Sequence, residues 1–204
     1  MRCPTAAGLA PLVSVALLLA ACTTEAPPAE TVIYEADYPE FESVESLVAA
    51  TELSIVGTVL DQRVEELYPE VGGSGDPTLD PQAGLGVDEL SLLQPVIVTI
   101  SRVEVTEVIR GDVTEGDIVE VSQLGGLFDG VDYREAATTV LEPGAEYVLL
   151  LSQHEDAPAD LLNPEQALFL VEDDEGTLEL VGSASEATVA SIDELSEAFS
   201  EQEG

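Results

Sequence analysis

The stretch PVIVTISRVEVTEVIRGD, from Pro95 to Asp112, constrains the fold more than any other part of the chain. Val96, Val98 and Ile100 fall on even positions, whereas Val103 and Val105 fall on odd ones. Side chains of a strand alternate across the sheet with period two, so each half of this run is a strand with one dry face. The dry face changes sides near Ser101 and Arg102, and a strand changes phase only by inserting a residue or turning a corner. A β-bulge is therefore expected there, with Val98, Ile100, Val103 and Val105 buried together. Long bulged strands suit small closed barrels.

The remaining segments fit around that strand. Val44, Leu47 and Val48 recur at helical spacing behind Ser43, a good N-cap with Glu45 in the first turn, which predicts a short helix over 44–51. LSIVGTVLDQRVEEL, residues 53–67, is β-rich, and Gly57 inside it marks a bulge or a close backbone approach. YPEVGGSGDPTLDPQAGLG opens a loop over 68–92, punctuated by Gly and Pro. DIVEVSQLGG then forms a hairpin with the long strand. Pro143-Gly144 is a turn before a buried strand at Tyr147 to Leu151, and ALFLVEDDEGTLELVG is a second hairpin with Gly176 in the left-handed position. Ser191 and Glu194 make a capping-box pattern ahead of Ile192, Leu195 and Phe199, one face of a final amphipathic helix. The fold class expected is mainly β: a small OB-like barrel flanked by a short N-terminal and a C-terminal helix.

The N-terminus belongs to a different kind of structure. Arg2 precedes an apolar run from Ala6 to Ala21 that is too short for a comfortable transmembrane helix and ends in small residues, as a secretory signal does. Its close, Leu19-Ala20-Ala21-Cys22, resembles the lipobox of bacterial lipoproteins. That resemblance implies a diacylglyceryl thioether on Cys22 and cleavage before it. Cys3 lies in the segment to be removed, so the mature chain keeps one cysteine and forms no internal disulfide. The organisation expected is a lipoprotein signal peptide over 1–21, a lipid-anchored tether over 22–40 and a barrel domain over 41–204. TTEAPPAETVIYEADY, polar, acidic and Pro-containing, is the basis for the tether.

Charge narrows the partners. Against 42 Asp and Glu stand five basic residues, all of them Arg, for a formal net charge of −37. Such a surface repels phosphodiester backbones and anionic lipid, so nucleic acid is not an expected partner, whereas a cationic or protein partner is compatible. Apolar residues at 45% nevertheless provide for a folded core.

The order ELSIVGTV, loop, VTISRVEVTEVIRGDVTEGDIVEVSQLGG, LEPGAEYVLLL and closing hairpin resembles the netrin-like, OB-type barrel of the tissue inhibitors of metalloproteinases, over residues 44–182. The resemblance implies the fold. It does not carry the inhibitory mechanism of that family, whose zinc-binding element is a disulfide-bonded N-terminal cysteine, because Cys22 has no disulfide partner and would be lipidated.

Chemistry-bearing motifs are sparse. His154, the one histidine, follows the Tyr147 to Leu151 strand beside Glu155 and Asp156 and reads as a plain loop residue. Ser74 in GGSGD misses the nucleophile-elbow spacing because Asp76 stands where the second Gly is required. DGVDYRE and EDDEG offer oxygen ligands to calcium but lack the Asp-x-Asp-x-Asp-Gly spacing. Arg110-Gly111-Asp112 reads as a strand end and turn, and Arg63, Arg102 and Arg134 are expected to neutralise nearby carboxylates. No catalytic motif, cofactor or metal site is identified. The function expected is a lipid-anchored extracytoplasmic binding or structural module, with the loops 68–92 and 127–142 as candidate contact surfaces. The alternative is a cell-surface hydrolase using a carboxylate pair.

Overall fold

The computed structural model describes residues 30–68, 94–136, 138–172, 176–181 and 189–202. Three long strands form an antiparallel meander: β2 (Leu53–Leu67), β3 (Val96–Arg110) and β4 (Ile118–Phe128). β6 (Glu146–Ser152) returns antiparallel to β2, and β7 (Ala159–Leu161) pairs antiparallel with β6 and parallel with β4. The path β2-β3-β4-β7-β6 thus returns to its starting strand and closes a five-stranded ring. The third and last strands of the ring meet in parallel, the OB-type closure expected from the sequence.

Cross-strand partners share a face of a sheet, so the pairs identify the inside of the ring. Val59 sits opposite Val103, Ser101 opposite Val121, Val121 opposite Ala159, Leu161 opposite Leu151 and Leu151 opposite Leu53. All of these are buried. The other face carries Asp61, Arg63, Glu104 and Asp160, all exposed. On β2 and β6, however, the outward Val56, Val148 and Leu150 are also buried, in one apolar cluster with Leu47 and Val48 of α1 (Val44–Ala50) and Leu195 and Phe199 of α2 (Ile192–Gln202). The two helices therefore cover that side. α1 is capped reciprocally by Ser43 and Ser46; Ser191 caps α2, while Glu194 reaches back to the Ala190 N–H. Gln202 ties the helices together through the Glu45 carbonyl.

The expected bulge at Ser101 and Arg102 is not there. β3 pairs with β4 without interruption from Val98 to Glu104, and β3 keeps its odd positions inward from Ile97 to Val105. The extra residue is in the partner strand: Val59 faces Val103 and Asp61 faces Arg102, leaving Leu60 unpaired. This insertion moves the inward phase of β2 from Leu53, Ile55 and Val59 to Gln62 and Val64. Val98 and Ile100 are buried like Val103 and Val105, but on the outer face, at 1% and 2% exposure. The sequence pattern misplaced the switch because a second layer lies over part of the outer surface. Gly57 meets both expectations for it. A register shift lies beside it, and a Cβ there would come within 2.5 Å of Val103.

That covering layer comes from residues expected to be tether. β1 (Glu30–Tyr34) pairs in parallel with β5 (Val131–Glu135), which is itself paired with the end of β4. The Tyr34 ring stacks on Tyr133 at 5.8 Å, and its hydroxyl accepts the Ile97 N–H. Residues 30–40, expected to be tether, are thus already part of the fold among the described residues; residues 22–29 lie outside the described residues. At the other edge, β8 (Leu168–Val171) and β9 (Leu178–Leu180) form the expected hairpin, with Gly176 at positive φ.

Candidate functional site

Two clefts share a wall where β4 meets the N-terminal segment. The first, of about 350 Å³, lies beneath the chain that leaves β1. Its walls are mostly apolar, formed by Ala36, Leu67, Val98, Leu124, Leu161 and Pro164. The polar groups that converge on it include Tyr38, Thr138 and Asp160.

Each of these is placed by the fold. Asp160 is the outward residue of β7, between the buried Ala159 and Leu161, and β7 is held from both sides by β4 and β6. One of its carboxylate oxygens lies 2.9 Å from His154 Nε2. The segment carrying Ala36 and Tyr38 is fastened by two buried amides. Asn163 Nδ2 donates to the Pro39 carbonyl at 2.9 Å, while Gln166 accepts the Phe41 N–H at 3.0 Å and donates to the Phe41 carbonyl at 2.9 Å. Asn163 Oδ1 in turn accepts the N–H groups of Glu165 and Gln166, the local turn that asparagine favours. Burial pushes the Tyr38 phenol above its ordinary pKa, and the negative charges of Glu135 and Asp160 push the same way against a hydrogen bond with Thr138.

The second cleft, of about 470 Å³, opens on the inward side, between Val64, Thr99, Tyr133, Glu135 and Val140. Thr138 lines both clefts, and its hydroxyl donates to Glu135 at 2.8 Å. Gly126, at φ 137°, lets β4 pass so close that a Cβ would lie 2.7 Å from Thr99 Oγ1 and 2.8 Å from Val64. Two glutamines pin the adjoining segment into the ring. Gln62 donates to the Leu141 carbonyl and the Ser101 hydroxyl; Gln123 donates to the Thr139 carbonyl and accepts the Leu141 N–H. Sequence reasoning passed over this pair. The available signal was a long polar side chain at an inward strand position, where burial demands hydrogen-bond partners.

Of the residues singled out in the sequence, His154 is paired with Asp160, a residue the sequence did not single out. Among the described residues His154 bonds to no hydroxyl. Arg63 holds Glu120 through two hydrogen bonds of 2.7 and 2.8 Å, Arg102 holds Asp61 at 2.7 Å, and Arg134 holds Asp132. Those are the neutralising contacts expected. Arg110 ends β3 with its guanidinium 5.4 Å from the centre of the Phe199 ring, and Gly111 turns at φ 115°, so Arg110-Gly111-Asp112 is a strand end and turn.

DGVDYRE is the β4–β5 turn and β5, not a long loop, and Asp132 is occupied by Arg134. No group of three or more His, Cys, Asp and Glu that could hold a metal occurs among the described residues. Cys22, Ser74, most of 68–92 and residues 173–175 of EDDEG lie outside the described residues. The Gln153 N–H and the Ser152 hydroxyl lower the Glu52 pKa, and the Arg63 hydrogen bonds lower that of Glu120. These two carboxylates are thereby held ionised. No protein-family model matches the chain, and no curated protein matches it in sequence.

Proposed function

We propose that the chain is a bacterial lipoprotein, anchored through a lipid on Cys22, that acts outside the cytoplasm as a binding module built on an OB-type barrel. The single observation that carries the binding reading is the first cleft. Apolar walls with a few convergent polar groups are what small-ligand sites present, and its volume lies at the lower end of their range of about 300–1,000 Å³. The anchor rests on Leu19-Ala20-Ala21-Cys22 and the apolar run before it. Residues 23–29 would then span at most about 25 Å between lipid and β1, a short leash on a strongly anionic domain.

The hydrolytic alternative needs a carboxylate pair, and Asp160, the carboxylate in the wall of this cleft, is paired with His154 at 2.9 Å instead. It lacks support on two counts. The imidazole meets no hydroxyl among the described residues, and Glu52 and Glu120 are displaced toward the ionised form, whereas a general acid needs displacement the other way.

Two measurements test the reading. Native protein should partition into detergent, and Cys22→Ala should move it to the aqueous phase or leave the precursor uncut; an unmodified Cys22 in membrane-purified protein would overturn the anchor. Crosslinking on intact cells followed by mass spectrometry should place adducts at Ala36 to Tyr38, Thr138 or Asp160. Adducts confined to α1 and α2 would overturn the cleft as the binding surface.

A further inference from the structure

We infer that the first cleft is a site for a small organic cation: an apolar body, aliphatic or a single aromatic ring, carrying one ammonium group that pairs with Asp160. This rests on the binding reading above and names the ligand class. The cleft wall supplies shape and sign separately. Leu67, Val98, Leu124 and Leu161 offer a surface for an apolar body, and no Lys or Arg is among the described residues that line it. Among the described residues the carboxylate of Asp160 is the one formal charge in the wall, and Glu135 lies close enough to act with it on the Tyr38 phenol. Gln123 is spent on the Thr139 carbonyl and the Leu141 N–H and so presents little polarity to a ligand.

An anionic ligand would enter a field set by Asp160, Glu135 and a chain of net charge −37, so it is repelled. A neutral one would gain only the apolar contact. A cation gains both, and its ammonium has the carboxylate of Asp160, the phenol of Tyr38 and the hydroxyl of Thr138 as acceptors around it. The 2.9 Å contact with His154 Nε2 holds the carboxylate, so the acceptor is oriented before the ligand arrives.

The test uses three probes of one shape, benzylamine, benzyl alcohol and benzoate, titrated into the full chain while backbone amide shifts are followed by NMR. Benzylamine should move the amides of Ser122, Leu124 and Leu161 and saturate. Benzyl alcohol should bind more weakly at the same amides, and benzoate should move none of them. Asp160→Asn should weaken benzylamine by about twofold to fivefold, the scale of one partly exposed ion pair, and leave benzyl alcohol unchanged. Asp156→Asn, which removes the same charge outside this cleft, should change neither. Ala36→Trp should block both binding probes.

If benzylamine and benzyl alcohol bind alike, or if Asp156→Asn weakens benzylamine as much as Asp160→Asn does, the cation assignment is overturned and the cleft survives as a binding site. If no probe moves the amides around the cleft, the cleft itself is overturned along with the ligand class.

Discussion

The two halves of the barrel are built from the same kind of strand and filled in opposite ways. Where β2 meets β6, both faces are dry: Leu53, Ile55, Leu149 and Leu151 point into the ring, and Val56, Val148 and Leu150 point out beneath the two helices. Where β3 meets β4, the inward positions beyond Val103 and Val121 are Ser101, Thr99 and Gln123, joined by Gln62, and they are buried or half-buried with their hydrogen bonds made. The first half is held by burial, which is non-directional and strong in sum. The second is held by hydrogen bonds, each worth about 1 kcal/mol net yet costly to leave unmade. Both clefts lie against the second half. Stability and recognition are thereby assigned to different arcs of one ring, and the polar arc is the one that substitution can reshape without emptying the core.

The comparison breaks if the dry half tolerates truncation. Leu149→Ala should cost about 2–5 kcal/mol in a denaturant melt, whereas Leu127→Ala, at an exposed position near the end of β4, should stay within about 0.5 kcal/mol. A smaller effect is expected on the polar arc: Gln123→Leu leaves the Leu141 N–H without its acceptor and should cost about 1–3 kcal/mol, with faster hydrogen exchange at Leu141. The dry half also contains one polar exception. The Ser54 hydroxyl is buried with no partner among the described residues, so Ser54→Ala should raise stability by about 1 kcal/mol.

The outer surface should respond least, and Arg102→Gln should change stability by about 0–1 kcal/mol because its contact with Asp61 is exposed to water. Acid should act through Glu52. Its folded pKa is lowered, so its contribution is present above the ordinary carboxylate range and is lost as pH falls through the lowered value. Glu52→Gln should flatten that part of the stability profile.

Much of the frame was legible in the sequence because it is written in period and punctuation. Ser43 and Ser191 cap their helices, Gly144 and Gly176 turn at positive φ, and the strands at 96–110 and 146–152 sit where alternating or continuous apolar residues demand. What escaped reading depends on contacts distant in sequence. Residues 30–34 look like tether by composition, and only pairing with β5, a hundred positions away, makes them a strand. Val98 is apolar on the outer face because Ala36 and Tyr38 lie over it in the same cleft, so alternation within β3 alone pointed to the wrong strand for the bulge. The cleft was illegible for the same reason: Tyr38, Thr138 and Asp160 carry no shared motif and meet only through the parallel contact of β4 with β7 and the clasp of Asn163 and Gln166 on the N-terminal segment.

Leu60 shows how a position can set the facing of a strand without its side chain mattering. It is 41% exposed and unpaired in the β2–β3 ladder, so many replacements there would fold alike. Its place outside the ladder is another matter. Were Leu60 to enter the ladder opposite Arg102, Asp61, Arg63 and Glu65 would turn toward the interior and Gln62 and Val64 would turn out, exchanging the roles of every later residue in the strand. Deleting it would leave those roles as they are and remove only the local kink and added twist. The position works as a slack link, free in identity, that lets two runs of opposite parity share one interior.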